Sequence, residues 1–209
     1  MKKCIRGFMM NSDLTRRQVL LTGSASVLAL AASPALALSE GEARALIDAV
    51  VGDINAVINS GKSRNAMLRD FEKIFRRYGD VATIARSALG PPARSVSKAQ
   101  LRAFTDAFVG YIARKYGKRF REFQGGQIEV TSARKVKSFQ EVRAVAKLRG
   151  KSPFAVSFMV SDRSGKNKFF DLLIEGISLL KSERAEIGAL LDKQGGNVDK
   201  LTAQLKRLG

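Results

Sequence analysis

Three carboxylates sit inside apolar, strand-like stretches, Asp171, Glu175 and Glu129, and two hydroxyl donors, Tyr111 and Tyr116, sit on the most aromatic helix-like stretch. A carboxylate held among apolar side chains can serve as a general base with a raised pKa, and a nearby tyrosine can return the proton. The alternation along residues 168–175 argues against that use. It puts Phe170, Leu172 and Ile174 on one face and Phe169, Asp171, Leu173 and Glu175 on the other, so the carboxylates face solvent and pair with Arg or Lys. The remaining inventory is bare. Histidine is absent and Cys4 is the lone cysteine, which excludes a Ser-His-Asp triad, a Cys/His zinc site and an intrachain disulfide. There is no Gly-rich phosphate loop and no inward pair of carboxylates. No catalytic residue, metal site or cofactor is assigned, and a small isomerase or lyase working through Asp171 is the enzymatic alternative.

The elements that would position these residues follow from periodicity. Ser39 with Glu42 three residues on is a capping-box pattern, and Leu46, Ile47, Val50, Val51, Ile54, Val57 and Ile58 recur at helical spacing after it. A second helix carries Leu68, Phe71, Ile74, Phe75 and Tyr78 on one stripe. A short helix leads to the breaker Gly90-Pro91-Pro92. Ser97 and Gln100 open the longest helix, whose stripe is Leu101, Phe104, Phe108, Tyr111, Ile112, Tyr116, Phe120 and Phe123. After Gly125-Gly126 the period switches to two. Ile128 and Val130 lead the first strand. Val142, Ala144, Ala146 and Leu148 line the second, and Phe154, Val156, Phe158 and Val160 the third. Asp162-Arg163-Ser164-Gly165 turns into the fourth, which is expected to run at Glu175-Gly176 directly into a helix. Two helical segments close the chain around Gly195-Gly196.

This order predicts an α+β fold in which a curved, four-stranded antiparallel sheet is roofed by helices on its apolar face. Ala144 and Ala146 stand where larger residues would close a core. Small residues opposite a wall of aromatics mean either tight packing or room for an apolar ligand, and the sequence leaves both open.

With 37 basic and 19 acidic residues the net charge is +18, which calls for an anionic partner. Residues 1–37 read as a cleaved export signal: Lys2, Lys3 and Arg6, then Thr15-Arg16-Arg17-Gln18-Val19-Leu20, a weakly apolar run, and Ala35-Leu36-Ala37 as the cleavage pattern. The paired arginines point to the twin-arginine route. Gly23, Ser24, Ser26, Ser33 and Pro34 dilute the run too far for a membrane anchor. Residues 38–209 then form one domain without cysteine, bearing 32 basic and 18 acidic residues. An exported protein meets membrane head groups and acidic proteins rather than nucleic acid. Arg134, Lys135, Lys137, Arg143, Lys147 and Arg149 are also not interleaved with the aromatics that single strands stack on.

Residues 167–184 read NKFFDLLIEGISLLKSER. Asp171, Ile174-Glu175-Gly176, Ser178-Leu179 and Arg184 in this stretch resemble the D-x-x-I-E-G-x-S-L…R signature of MlaC-type, or toluene-tolerance, periplasmic phospholipid-binding proteins. Asp80, Ala85-Arg86, Leu89-Gly90, Gln100, Phe104, Phe108 and Tyr116 resemble an upstream segment of the same family. Asn167-Lys168 and Pro91-Pro92 depart from it where aromatics are usual. The resemblance implies a nuclear transport factor 2-like (cystatin-like) sheet with added helices and a soluble periplasmic carrier that maintains outer-membrane lipid asymmetry. It further implies passage of phospholipid between an outer-membrane lipoprotein–porin complex and an inner-membrane ABC transporter, with hopanoid or sterol-like cargo as the alternative. The residues expected against the acyl chains are Phe104, Phe108, Tyr111, Ile112, Val130, Val142, Ala144, Ala146, Val156, Phe158, Val160, Phe170, Leu172 and Ile174.

Overall fold

Local hydrogen bonds start each helix where the sequence places a cap. Ser39 and Glu42 form the full capping box, Glu42 N–H to Ser39 Oγ at 3.2 Å and Ser39 N–H to Glu42 Oε2 at 2.9 Å, and open α1 (Glu40–Ile58). Ser63 caps α2 (Arg64–Tyr78) and Asp80 caps α3 (Val81–Leu89). Pro91-Pro92 does not end in coil but forms a single 3-10 turn, Pro91–Arg94. Ser97 and Gln100 exchange a second reciprocal pair of bonds at the head of α4 (Lys98–Gly117). Ser178 caps α5 (Leu179–Lys193) and Asn197 caps α6 (Val198–Leu205). This computed structural model describes residues 38–117 and 124–208, so the export signal expected over 1–37, and Phe120 and Phe123, lie outside the described residues.

The strands are β1 (Gln127–Val136), β2 (Phe139–Lys147), β3 (Phe154–Ser161), β4 (Lys168–Ile174) and β5 (Ile177–Ser178), hydrogen-bonded in chain order and all antiparallel. The expected meander is present, but with five strands instead of four. The extra strand lies at the corner that was expected to lead straight into a helix. Glu175 at φ 49° and Gly176 at φ 78° form a two-residue turn, which pairs Ile174 with Ile177 and Leu173 with Ser178 before α5 begins. The pattern D-x-x-I-E-G-x-S is therefore a hairpin followed by a helix cap.

Two bulges set which side chains face the helices. One lies between Val130 and Ser132, the other between Met159 and Val160. At the second, Val160 pairs with Phe169 while Met159 pairs with Asp171, so Phe170 is the extra residue. Strict alternation placed Phe169 on the outer face; the bulge turns it inward, beside Phe158 at 6.0 Å between ring centroids and Phe75 at 6.1 Å. The α2–α3 junction fastens this point from outside the sheet. Gly79 bridges Phe169, and Asp80 N–H donates to Phe169 O at 2.8 Å. A Cβ at Gly79 would lie 2.7 Å from Phe75 O and 2.9 Å from its ring, so the close approach requires glycine.

The buried side chains form two cores. One joins α1 and α2 to the inner sheet face, with Ile47, Val50, Met67, Val142, Ala144, Val156, Phe158 and Val160 among its members. The other joins α3, α4, α5 and α6, around Phe104, Phe108, Tyr111, Ile187, Leu201 and Leu205. Phe169 packs against both.

Candidate functional site

A cavity of about 580 Å³ runs along the seam between these two cores, a size common among small-molecule sites. Its sheet wall is Ile128, Ala146, Leu148, Phe154, Val156, Phe158, Phe169, Phe170, Leu172 and Ile174. The helical walls are Val50, Ile54 and Ile58 from α1, Phe71, Ile74 and Phe75 from α2, Ile84 from α3, Phe108, Ile112, Ala113 and Tyr116 from α4, and Leu179, Leu180 and Glu183 from α5. Ile177, 64% exposed, brings an apolar side chain from the β5 hairpin to the cavity edge. The sheet meets two sets of helices, and the space left between them is lined mainly by apolar side chains, with Tyr116, Lys151, Asp171 and Glu183 as its polar members.

Eight of the residues expected against acyl chains line this space: Phe108, Ile112, Ala146, Val156, Phe158, Phe170, Leu172 and Ile174. The other six do not reach it. Val142, Ala144 and Val160 are buried beneath α1 and α2, Phe104 and Tyr111 are buried among the helices, and Val130 packs half-buried against the first core. The two alanines thus separate: Ala146 borders the cavity while Ala144 does not. Sequence reasoning missed the contributions of α1 and α2, whose apolar stripes were legible but not their facing, and Phe169, hidden by the bulge.

The candidate acid–base groups take other roles. Asp171 Oδ1 accepts from Leu172 N–H at 2.8 Å and Leu180 N–H at 3.0 Å, and its Oδ2 from Ser178 Oγ at 2.6 Å. Glu175 accepts from Ala155 N–H. Both carboxylates fasten the corner through amides and a hydroxyl, instead of pairing with Arg or Lys as expected. Glu129 pairs with Lys147 at 2.6 Å. With donors on both of its oxygens, the Asp171 carboxylate is engaged in holding the corner.

The polar cluster nearest the cavity joins α4 to α5. Lys115 Nζ lies 2.6 Å from Glu183 Oε1 and 2.5 Å from Glu186 Oε2. Tyr116 OH donates to Glu183 Oε1 and Tyr111 OH to Glu186 Oε1, each at 2.5 Å. Burial, then the hydrogen bonds to these carboxylates, pushes both tyrosine hydroxyls far above their ordinary pKa. Burial pushes the Lys115 ammonium down, but its two carboxylate partners outweigh that and hold it up. Both tyrosines therefore remain neutral hydrogen-bond donors at ordinary pH. Among the described residues no group of His, Cys, Asp and Glu could hold a metal ion.

A family model described as MlaC protein matches residues 45–207. The chain belongs to the MlaC family. The MlaC match covers every residue that lines the cavity, from Val50 to Glu183. Among solved structures, a phospholipid-binding protein from Ralstonia solanacearum, in complex with a phospholipid, is similar at TM-score 0.66 and 19% identity, covering 78% of this chain and 98% of that one. At that identity the likeness shows a shared fold alone.

Proposed function

We propose that this chain is a lipid carrier whose cargo is phospholipid, held by its acyl chains in the apolar cavity between sheet and helices. The observation that carries this is a cavity of about 580 Å³ walled by aliphatic and aromatic side chains in a chain of the MlaC family. The phospholipid bound to the Ralstonia protein of similar fold supports the same reading. Energetics agree with it. Each buried methylene contributes ~0.8 kcal/mol, so two chains of membrane length supply roughly 20 kcal/mol of transfer, whereas an exposed ion pair adds about 0–1 kcal/mol. The chains hold the cargo, and charge is left to docking.

In this proposal residues 1–37 are a twin-arginine signal removed near Ala37, and 38–209 are one lipid-binding domain of nuclear transport factor 2-like type working in the periplasm. Among the described residues no helix is long and apolar enough to cross a membrane. The carrier exchanges lipid with an outer-membrane lipoprotein–porin complex and an inner-membrane ABC transporter. The test is mass spectrometry of lipid extracted from natively purified protein. About one phospholipid per folded chain is expected; protein that is folded but reproducibly lipid-free would overturn the proposal, and a polycyclic lipid in its place would redirect it to hopanoid-like cargo.

A further inference from the structure

Two buried side-chain oxygens have no hydrogen-bond partner among the described residues, Gln140 Oε1 and Glu183 Oε2, and of these two residues Glu183 alone lines the cavity. Glu183 is 3% exposed and lines the cavity wall beside Tyr116. Its Oε1 takes hydrogen bonds from Lys115 and Tyr116, but Oε2 is buried without a hydrogen-bond partner among the described residues. A buried carboxylate oxygen left unpaired costs on the order of 1–3 kcal/mol, more when charged, so such atoms call for a donor from outside the protein. The neighbouring tyrosine hydroxyls are already committed, Tyr111 OH to Glu186 and Tyr116 OH to Glu183 Oε1, and Lys115 is engaged by both glutamates. Asp171, also on the cavity wall, has donors on both carboxylate oxygens.

Exposure orients the cluster. Side-chain exposure falls from 45% at Glu186 through 28% at Lys115 to 4% at Glu183. The polar strip thus leads from solvent to the cavity wall, where the polar end of an amphiphile would meet it. It holds two carboxylates and one ammonium, an acidic patch on a basic protein.

Resting on the carrier reading above, we propose that Glu183 is a head-group anchor which accepts a hydrogen bond from an N–H or O–H donor on the cargo. The lipids selected are those with a primary ammonium or a hydroxyl head group, in preference to those with a fully methylated one. No bond is made or broken; the selection is by hydrogen bonding alone.

The test uses the delipidated full mature chain and mixed vesicles of phosphatidylethanolamine, phosphatidylglycerol and phosphatidylcholine in equal amounts, with captured lipid counted by mass spectrometry. Mixed vesicles keep surface charge the same for every lipid. Wild type should take the two donor-bearing lipids over phosphatidylcholine by roughly tenfold, the factor for one hydrogen bond to a charged group of about 1.4 kcal/mol. The ratio between those two separates an ammonium from a hydroxyl donor. Removing the acceptor in Glu183→Leu paired with Tyr116→Phe leaves no orphaned hydroxyl; among the lipid it captures, the preference should fall to about one. Tyr116→Phe alone should keep the preference. Glu183→Gln, closest in shape, should weaken it and guards against a folding failure of the double variant. Equal capture of all three lipids by loaded wild type, or a preference that survives loss of the carboxylate, would overturn the anchor and leave Oε2 to a resident water. Folded wild type that captures no lipid at all would instead remove the carrier reading, and this inference with it.

Discussion

A carboxylate withdrawn from water is a cost unless donors surround it, and half-buried Asp171 and buried Glu183 and Glu141 are surrounded to different degrees. Asp171 has donors on both oxygens at the β4–β5 corner, Glu183 on one, and Glu141 is satisfied on the outer face by Arg134 at 2.5 Å, Arg143 at 3.3 Å and Ser157 at 3.0 Å. Burial pushes the Glu141 carboxyl up, but the bonds from Arg134, Arg143 and Ser157 outweigh it and hold the group below its ordinary value of 4.5. A depressed folded pKa means the charged form contributes stability that is present above pH 4.5 and is lost as pH falls through the folded value. Glu141→Gln should therefore lower stability by about 1–2 kcal/mol at pH 7, and urea melts should show the difference closing as the pH drops below 4.5. A gap that persists unchanged into acid would mean that shape, not charge, sets the effect. Residue types were legible in the sequence, but partners were not. Asp171 faces Ser178 and Leu180 because a two-residue hairpin folds back, and one-dimensional alternation does not encode that reversal.

At the scale of elements, β2 and β3 each serve both a packed core and an open cavity. Val156 is opposite Ile174 in the register and borders the cavity, while Ala144, opposite Val156 on the other side, lies 2% exposed in the first core. The two should respond differently to the same change. Val156→Trp puts bulk into open space and should cut bound lipid at least several-fold while leaving the melting temperature nearly unchanged. Ala144→Trp overpacks and should cost about 1–3 kcal/mol or more. Native mass spectrometry and thermal melts on both variants check this; equal destabilisation by both would mean the cavity closes up in solution. The helices and the strand order were readable from caps and period. The fifth strand was not, since two residues are too few to show a period, and the bulge that turns Phe169 inward leaves no mark in an otherwise alternating run.

The whole molecule combines an apolar interior seam with a surface carrying +18 in the full chain. If charge serves docking while chains hold the cargo, the two should separate with salt. Co-sedimentation with anionic vesicles should fall steeply between about 50 and 500 mM salt as the Debye length shrinks; lipid already bound should stay bound. Loss of both together would place the lipid at the charged surface and not in the cavity. The sequence by itself determined the classes of element, the order of the meander, the lack of histidine and usable cysteine, and the motifs of the MlaC family, because composition, caps and period are local properties. Only the tertiary structure decided that the apolar faces form two cores with a gap between them, which eight of the fourteen expected residues border it, and that Glu183 stands at its wall with a free oxygen. Those depend on which faces meet and how closely, a balance of packing among distant segments that no local pattern carries.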